Sequence, residues 1–188
     1  MRLRQKLALL FVAYLVLSVI AGIAIAEGSL HLRRLPLRHA HRFSAFVKEK
    51  YGAELKNVSI QADDGTVLKA GYVQPQKFNG SAVVLLHGIT DNREGVAGYG
   101  KIFLDRGYAV LLPDARAHGE SGGALATYGI KEADDLHEWV SWLYAGSLQS
   151  PLCVYGFGES YGAALPAILG TGTAILRCCG GGFIFDGA

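Results

Sequence analysis

Cysteine is scarce and unevenly placed: the 188 residues hold three, Cys153, Cys178 and Cys179. An odd count with two adjacent members makes no disulfide framework, and no Cys or His spacing matches a zinc site. Cys153 sits in an apolar run and reads as a small core residue. Charged residues are few, at 18%, and histidine stops early, the last of six being His137. Neither an internal repeat nor a low-complexity tract is present, which excludes solenoid and linker-like architectures. Basic charge is missing from most of the chain. Residues 1–50 carry nine Lys/Arg against Glu27 and Glu49, a balance of +7, whereas the remaining 138 carry nine against fourteen, a balance of −5. The positive charge therefore belongs to an N-terminal arm beside an apolar run, which points to anionic lipid headgroups and away from nucleic acid. What is abundant, 51% hydrophobic residues and 25 Gly, suits one compact domain with a membrane segment attached.

That segment is "LALLFVAYLVLSVIAGIAIA", residues 7–26, without a charge. At about 1.5 Å per residue its twenty residues span roughly 30 Å, one hydrocarbon thickness. Arg2, Arg4 and Lys6 precede it. The Ala24-Ile25-Ala26 ending also resembles a signal-peptidase site, but the apolar region exceeds the usual length of a cleaved signal. Arg33, Arg34, Arg38 and Arg42 follow closely and resist translocation. The reading is a single-pass N-terminal anchor (residues 1–26), with a cleaved signal and export as the alternative. Residues 27–56 then read as a basic juxtamembrane linker, either lying along the membrane surface or solvated. His31, His39 and His41 in it read as surface residues.

The rest alternates β and α patterns. "NVSIQADDGTVLKAGYVQP" places two β-rich runs around Asp63-Asp64-Gly65-Thr66, a hairpin signal. "AVVLLH" (82–87), "YAVLLP" (108–113) and "LCVYGF" (152–157) are continuous apolar runs, the pattern of strands buried on both faces of a parallel sheet. Between them, 93–106 and 130–144 show helical spacing, and a third helix is predicted from about Tyr161. The order implies an α/β sheet, mostly parallel, with antiparallel strands at its start.

Ligands of such a sheet meet the carboxyl ends of its strands. Here "HGITDNREG", "DARAHGESGG" and "GFGESYG" all fall at those ends. "GESYG" is Gly-x-Ser-x-Gly between a strand and a helix, the context that gives the motif its meaning. Gly158 and Gly162 would let the backbone turn sharply, lifting Ser160 to the mouth of the cleft as a nucleophile. The N–H of Tyr161, in the first helical turn, has no partner within the helix and points toward developing negative charge. A second donor would be the backbone N–H of Ile89, after "LLHG". Two such donors form an oxyanion hole. The same glycines fit a loose Gly-x-Gly phosphate loop, but the first strand of a βαβ unit and an acid about 20 residues on are both missing. His87 and His118 read as structural hydrogen-bonding residues.

Together, "VVLLHGITDNREG", "GYAVLLPDARAHGESGG", "TYGIKEADDLHEWVSWL" and "VYGFGESYGAA" resemble the α/β-hydrolase family, with the closest likeness to serine-aminopeptidase-like and esterase-like bacterial members. The likeness covers roughly residues 57–170 and keeps the family's motif order. It implies the N-terminal portion of an α/β-hydrolase fold, preceded by one transmembrane helix. It also implies a serine hydrolase acting on carboxylic esters or peptide amides through an acyl-enzyme, with Ser160 as nucleophile and the Ile89 and Tyr161 N–H groups as oxyanion hole. No metal or organic cofactor is implied; the partners expected are a small ester or amide substrate and membrane lipids.

One departure matters. The family continues Ser, acid, His, whereas no histidine follows Ser160 here and the only later acid is Asp186. The expectation is a truncated, inactive chain, or a non-catalytic remnant or small-molecule-binding module of the same fold. The family's further strands are missing too, leaving an apolar edge open beside the third parallel strand. The tail "TGTAILRCCGGGFIFDGA", residues 171–188, is atypical. Codons for "AILRCCGGGFIF" read one base later can encode Arg-Phe-Cys-Ala-Val-Val-Ala-Glu, which resembles the family's next strand, so a shifted frame near codon 171 is expected.

Overall fold

The computed structural model describes residues 3–168 and 175–178. Helices α1 (Leu3–Leu30) and α2 (Ala40–Tyr51) precede strands β1 (Lys56–Gln61), β2 (Val67–Val73) and β3 (Ser81–Leu86). Then come α3 (Ala97–Leu104), β4 (Ala109–Pro113), α4 (Glu132–Gly146), β5 (Cys153–Gly158), α5 (Tyr161–Ile168) and β6 (Ile175–Cys178). The strands form one sheet in the order β1-β2-β4-β3-β5-β6. The three continuous apolar runs are its parallel centre, β3 pairing in parallel with both β4 and β5. β1 and β2 are the antiparallel start, joined by the expected hairpin. There Gly65 takes φ +81°, a left-handed conformation that glycine adopts without steric cost, and Asp64 Oδ1 accepts the Thr66 N–H at 3.1 Å.

Alternation along the central strands explains why their runs are unbroken. Ala82, Val84 and Leu86 of β3, with Leu111 of β4, face Leu136, Trp139, Leu143 and Leu165 of α4 and α5. Val83 and Leu85, with Val110 and Leu112, face the opposite way, toward α2 and α3. Each face is a separate apolar layer, and each fully buried Val or Leu side chain contributes about 1.5–3 kcal/mol. After β3 the chain crosses to β4 on one side, then returns to β5 on the other. Such a reversal opens a crevice outside the carboxyl ends of β3 and β5, where the site lies.

Several expectations need correction. Part of the basic segment 27–56 packs on the domain: α2 buries Val47 completely and packs Phe43 and Phe46 on the layer that holds Val83 and Leu85. The preceding residues 31–39 are bonded to the domain as well. Asn92 Nδ2 donates to the Leu35 carbonyl at 3.1 Å, and the N–H groups of Arg38 and His39 donate to the Glu94 carboxylate at 2.8 and 2.6 Å. Burial of an apolar helix face, which no local pattern separates from membrane-surface packing, decided this. The edge beside β5 is not open, because β6 pairs with it antiparallel. Cys153, expected as a small core residue, is half-buried and disulfide-bonded. The expected shifted frame and Asp186 fall on the tail, of which all but 175–178 lies outside the described residues. α1 is long and apolar enough to cross a membrane, and none of its apolar stretch is buried in the protein.

Candidate active site

The turn from β5 into α5 is held by two close backbone approaches. A Cβ on Gly158 would stand 2.5 Å from the Gly162 carbonyl oxygen, and one on Gly162 would stand 2.2 Å from the Leu86 oxygen. Real Cβ atoms do not come that near, so both positions require glycine. The Leu86 carbonyl also accepts the Glu159 N–H at 3.2 Å, locking the turn to the end of β3. Between the glycines, Ser160 takes φ +52°, a left-handed conformation costing about 1–3 kcal/mol in a residue with a side chain. Its side chain is exposed rather than turned into the core. Among the described residues, none hydrogen-bonds to its hydroxyl.

The loop after β3 runs alongside. A Cβ on Gly88 would lie 3.9 Å from the Ser160 Cβ. The next residue, Ile89, is half-buried against the α4–α5 layer. Tyr161 opens α5 and is itself 91% removed from solvent. Among the described residues, the N–H groups of Ile89 and Tyr161 have no hydrogen-bond acceptor. Sequence reasoning singled out these five positions, Ser160, Ile89, Tyr161, Gly158 and Gly162, and the fold gathers all of them at one edge of the sheet.

Both histidines beside the site are committed elsewhere. His87 Nδ1 donates to the Gly88 carbonyl at 2.8 Å, and its Nε2 accepts the Ala115 N–H at 3.0 Å. Burial pushes the His87 imidazole below its ordinary pKa of 6.5, and the nearby His118 ring adds to that. His118 Nδ1 donates to the Arg116 carbonyl at 2.8 Å and its Nε2 accepts the Thr90 N–H at 3.2 Å. Each ring thus joins the loop after β3 to the loop after β4 and has no lone pair left for Ser160. His137 is exposed on α4.

Two groups of residues that sequence reasoning did not single out shape this edge. Arg93 donates through its backbone N–H and Nη1 to the two oxygens of buried Asp114, at 2.8 and 2.5 Å, and through Nη2 to Glu120. That network clamps the same two loops. Glu132, at the start of α4, accepts the N–H and hydroxyl of Thr127 at 2.7 and 2.6 Å and the Gly129 N–H at 2.7 Å. Burial raises the Glu132 carboxyl, but these bonds outweigh it and hold the group below its ordinary value. They fix Tyr128, at φ +51°, with its ring edge-on to Tyr161 at 6.0 Å. The signal for Glu132 was an acid five residues after a threonine at a helix start; nothing local marked Tyr128.

Comparison with known proteins decides the family. The model of the X-Pro dipeptidyl-peptidase (S15) family matches residues 44–179, well over half of the chain. The chain belongs to the S15 peptidase family, within the α/β-hydrolases. Its fold is similar to the esterase Pf2001 of Pyrococcus furiosus, with a TM-score of 0.62 and 28% identity, covering 72% of this chain and 50% of the esterase. The α/β-hydrolase GrgF from Penicillium sp. sh18 is similar in fold alone, with a TM-score of 0.53 and 23% identity over 58% of this chain and 39% of that one. The uncharacterized protein YqkD of Bacillus subtilis (strain 168) is 39% identical over 79 residues, 42% of this chain and 26% of its own length. The chain spans half or less of each of these relatives. The match begins inside α2, in keeping with that helix being part of the packed domain.

Proposed function

We propose that Ser160 is the nucleophile of a membrane-anchored serine hydrolase acting on carboxylic esters or peptide amides. Its Oγ attacks the substrate carbonyl carbon, and the tetrahedral oxyanion is received by the Ile89 and Tyr161 N–H groups. Collapse breaks the ester C–O or amide C–N bond and expels the alcohol or amine, which takes up the proton given up by the Ser160 hydroxyl. Water then hydrolyses the acyl-enzyme and restores the hydroxyl. The observation that carries this reading is the exposed Ser160 at φ +52°, between two glycines that cannot be replaced, beside the loop after β3. Membership of a peptidase family and likeness to an esterase support the two substrate classes. α1 would anchor the domain, its length and composition being sufficient to span a bilayer.

Among the described residues, none stands as a base against the Ser160 hydroxyl. No histidine follows it, and His87 and His118 are bonded elsewhere. Removal of the base in a serine hydrolase lowers turnover by up to about 10⁶, so turnover here depends on a base reaching the Ser160 hydroxyl. The same observation favours a second reading, a membrane-anchored remnant that binds a small molecule in the cleft without turnover. A fluorophosphonate probe separates them. Covalent labelling that disappears in Ser160→Ala supports a working nucleophile; well-folded protein that takes no label supports the remnant.

A further inference from the structure

The end of α1 is joined to the cleft by a short series of contacts. The Ser29 carbonyl accepts the Tyr128 hydroxyl at 2.8 Å, and the Leu30 carbonyl accepts the Ala126 N–H at 2.9 Å. The Tyr128 ring meets Tyr161, the residue after Ser160. From Leu30 onward the chain follows the carboxyl edge of the sheet. Arg34 donates to the carbonyls of Ser121 and Gly123 after β4, and the next contacts, at Asn92 and Glu94, are in the loop after β3. The segment leaving α1 therefore borders the cleft and not the opposite edge of the sheet.

Depth follows from helix geometry. The uncharged stretch ends at Ala26, and Ser29 lies three residues on, about 4.5 Å along the axis at 1.5 Å per residue. With α1 across a bilayer, residues 126–130 stand at the level of the lipid headgroups. Their composition suits that layer: Tyr128 is half-exposed and Ile130 is 80% exposed, while Arg33 and Arg38 are exposed on the adjoining segment. An aromatic ring with a polar tip, an exposed aliphatic and nearby arginines are what an anionic membrane surface retains.

We infer that the cleft at Ser160 faces the bilayer that α1 spans, with Tyr128 and Ile130 on its lipid-contacting rim, and that its substrate is an amphiphilic acyl ester drawn from the membrane. The facing rests on the contacts of α1; the substrate class rests also on Ser160 being the nucleophile proposed above.

The test uses the full chain in vesicles of phosphatidylcholine and phosphatidylglycerol doped with an alkyne-bearing phosphatidylcholine. Benzoylphenylalanine is placed at Ile130 or at Leu148, an equally apolar, exposed residue between α4 and β5, at the opposite edge. Light-dependent lipid adducts at 130, with loss of the signal to background at 148, are expected. Equal adducts at both positions, or adducts at 148 alone, overturn the facing. In the same vesicles a long-chain alkyl fluorophosphonate is expected to label Ser160 faster than a short, water-soluble one; equal or slower labelling overturns the substrate class. If neither probe labels Ser160, the nucleophile reading falls and takes the substrate class with it, while the adduct pattern still decides the facing.

Discussion

Gly162 and Leu86 are packed so closely that any side chain on the glycine would overlap the leucine's carbonyl oxygen, 2.2 Å away. This contact joins the first turn of α5 to the end of β3, and so joins Ser160 to the loop that carries Ile89. Gly162→Ala is expected to destabilise the domain by about 2 kcal/mol or more, since only a backbone shift can relieve it. Gly98, on the exposed face of α3 with no atom within 4 Å of a Cβ, is the control. There Gly98→Ala is expected to stabilise by roughly 0.5–1 kcal/mol, the helix-propensity difference. Urea unfolding of the two variants checks both signs.

Asp135 and Arg116 form a two-bond pair, Nε to Oδ2 at 2.7 Å and Nη2 to Oδ1 at 2.6 Å, with both side chains buried. Burial pushes the Asp135 carboxyl above its ordinary value, against the pull of Arg116. Desolvation therefore dominates, and the pair is costly to break. Asp135→Asn is expected to lose about 3–5 kcal/mol, because it leaves a buried guanidinium half-partnered. Replacing both residues, Asp135→Leu with Arg116→Met, is expected to cost less than the single change. A double-mutant cycle in chemical unfolding measures the difference.

Glu132 ties stability to acid pH. Its folded pKa lies below the ordinary 4.5, so its contribution is complete above pH 4.5 and is lost as pH falls through the lower, folded value. The melting temperature should drop in that window. Glu132→Gln should melt lower at pH 7 and show a shallower drop in acid, as followed by circular dichroism in detergent. An unchanged acid profile would show that Glu132 does not hold residues 127–129.

His87 adds an earlier step of the same sign for a different reason. Its folded pKa is depressed below 6.5 by burial, so the unfolded chain takes up a proton first as pH falls. Stability should decline from about pH 6.5 downward until the folded pKa is reached. His87→Asn should remove that step and lower the melting temperature at pH 8, where two loop bonds are lost. Labelling of Ser160 per folded molecule should not change, since His87 gives it no base. A pH series of melts, paired with probe labelling, distinguishes a loop tie from a catalytic base.

The central strands were legible because their chemistry is local. Short unbroken Val/Leu runs bounded by turn residues fit strands covered on both faces, and the residues on the two faces alternate as expected. The Gly-x-Ser-x-Gly turn was legible for the same reason, each glycine being required by a contact within the turn or with the adjoining strand. Helix ends were less so: 93–96 reads as helix by spacing but forms turns, because the Arg93 and Glu94 N–H groups are drawn to Asp114 and Asn92. Phe43 and Val47 present an apolar stripe that suits a lipid surface and a protein core equally well, and only packing shows α2 seated on the core. The contact of Tyr128 with α1 was not legible, because it depends on Ser29, 99 residues earlier.

By itself the amino-acid sequence determined the parallel core, the Gly-x-Ser-x-Gly turn and the long apolar helix, all properties carried by neighbouring residues or by composition. Only the tertiary structure decided that His87 and His118 are spent on loop carbonyls and amides, that α2 belongs to the core, and that α1 ends against the rim of the cleft. Those relations join residues tens of positions apart. They come from the burial of side chains and the need of every buried donor and acceptor for a partner, which no local pattern of the chain encodes.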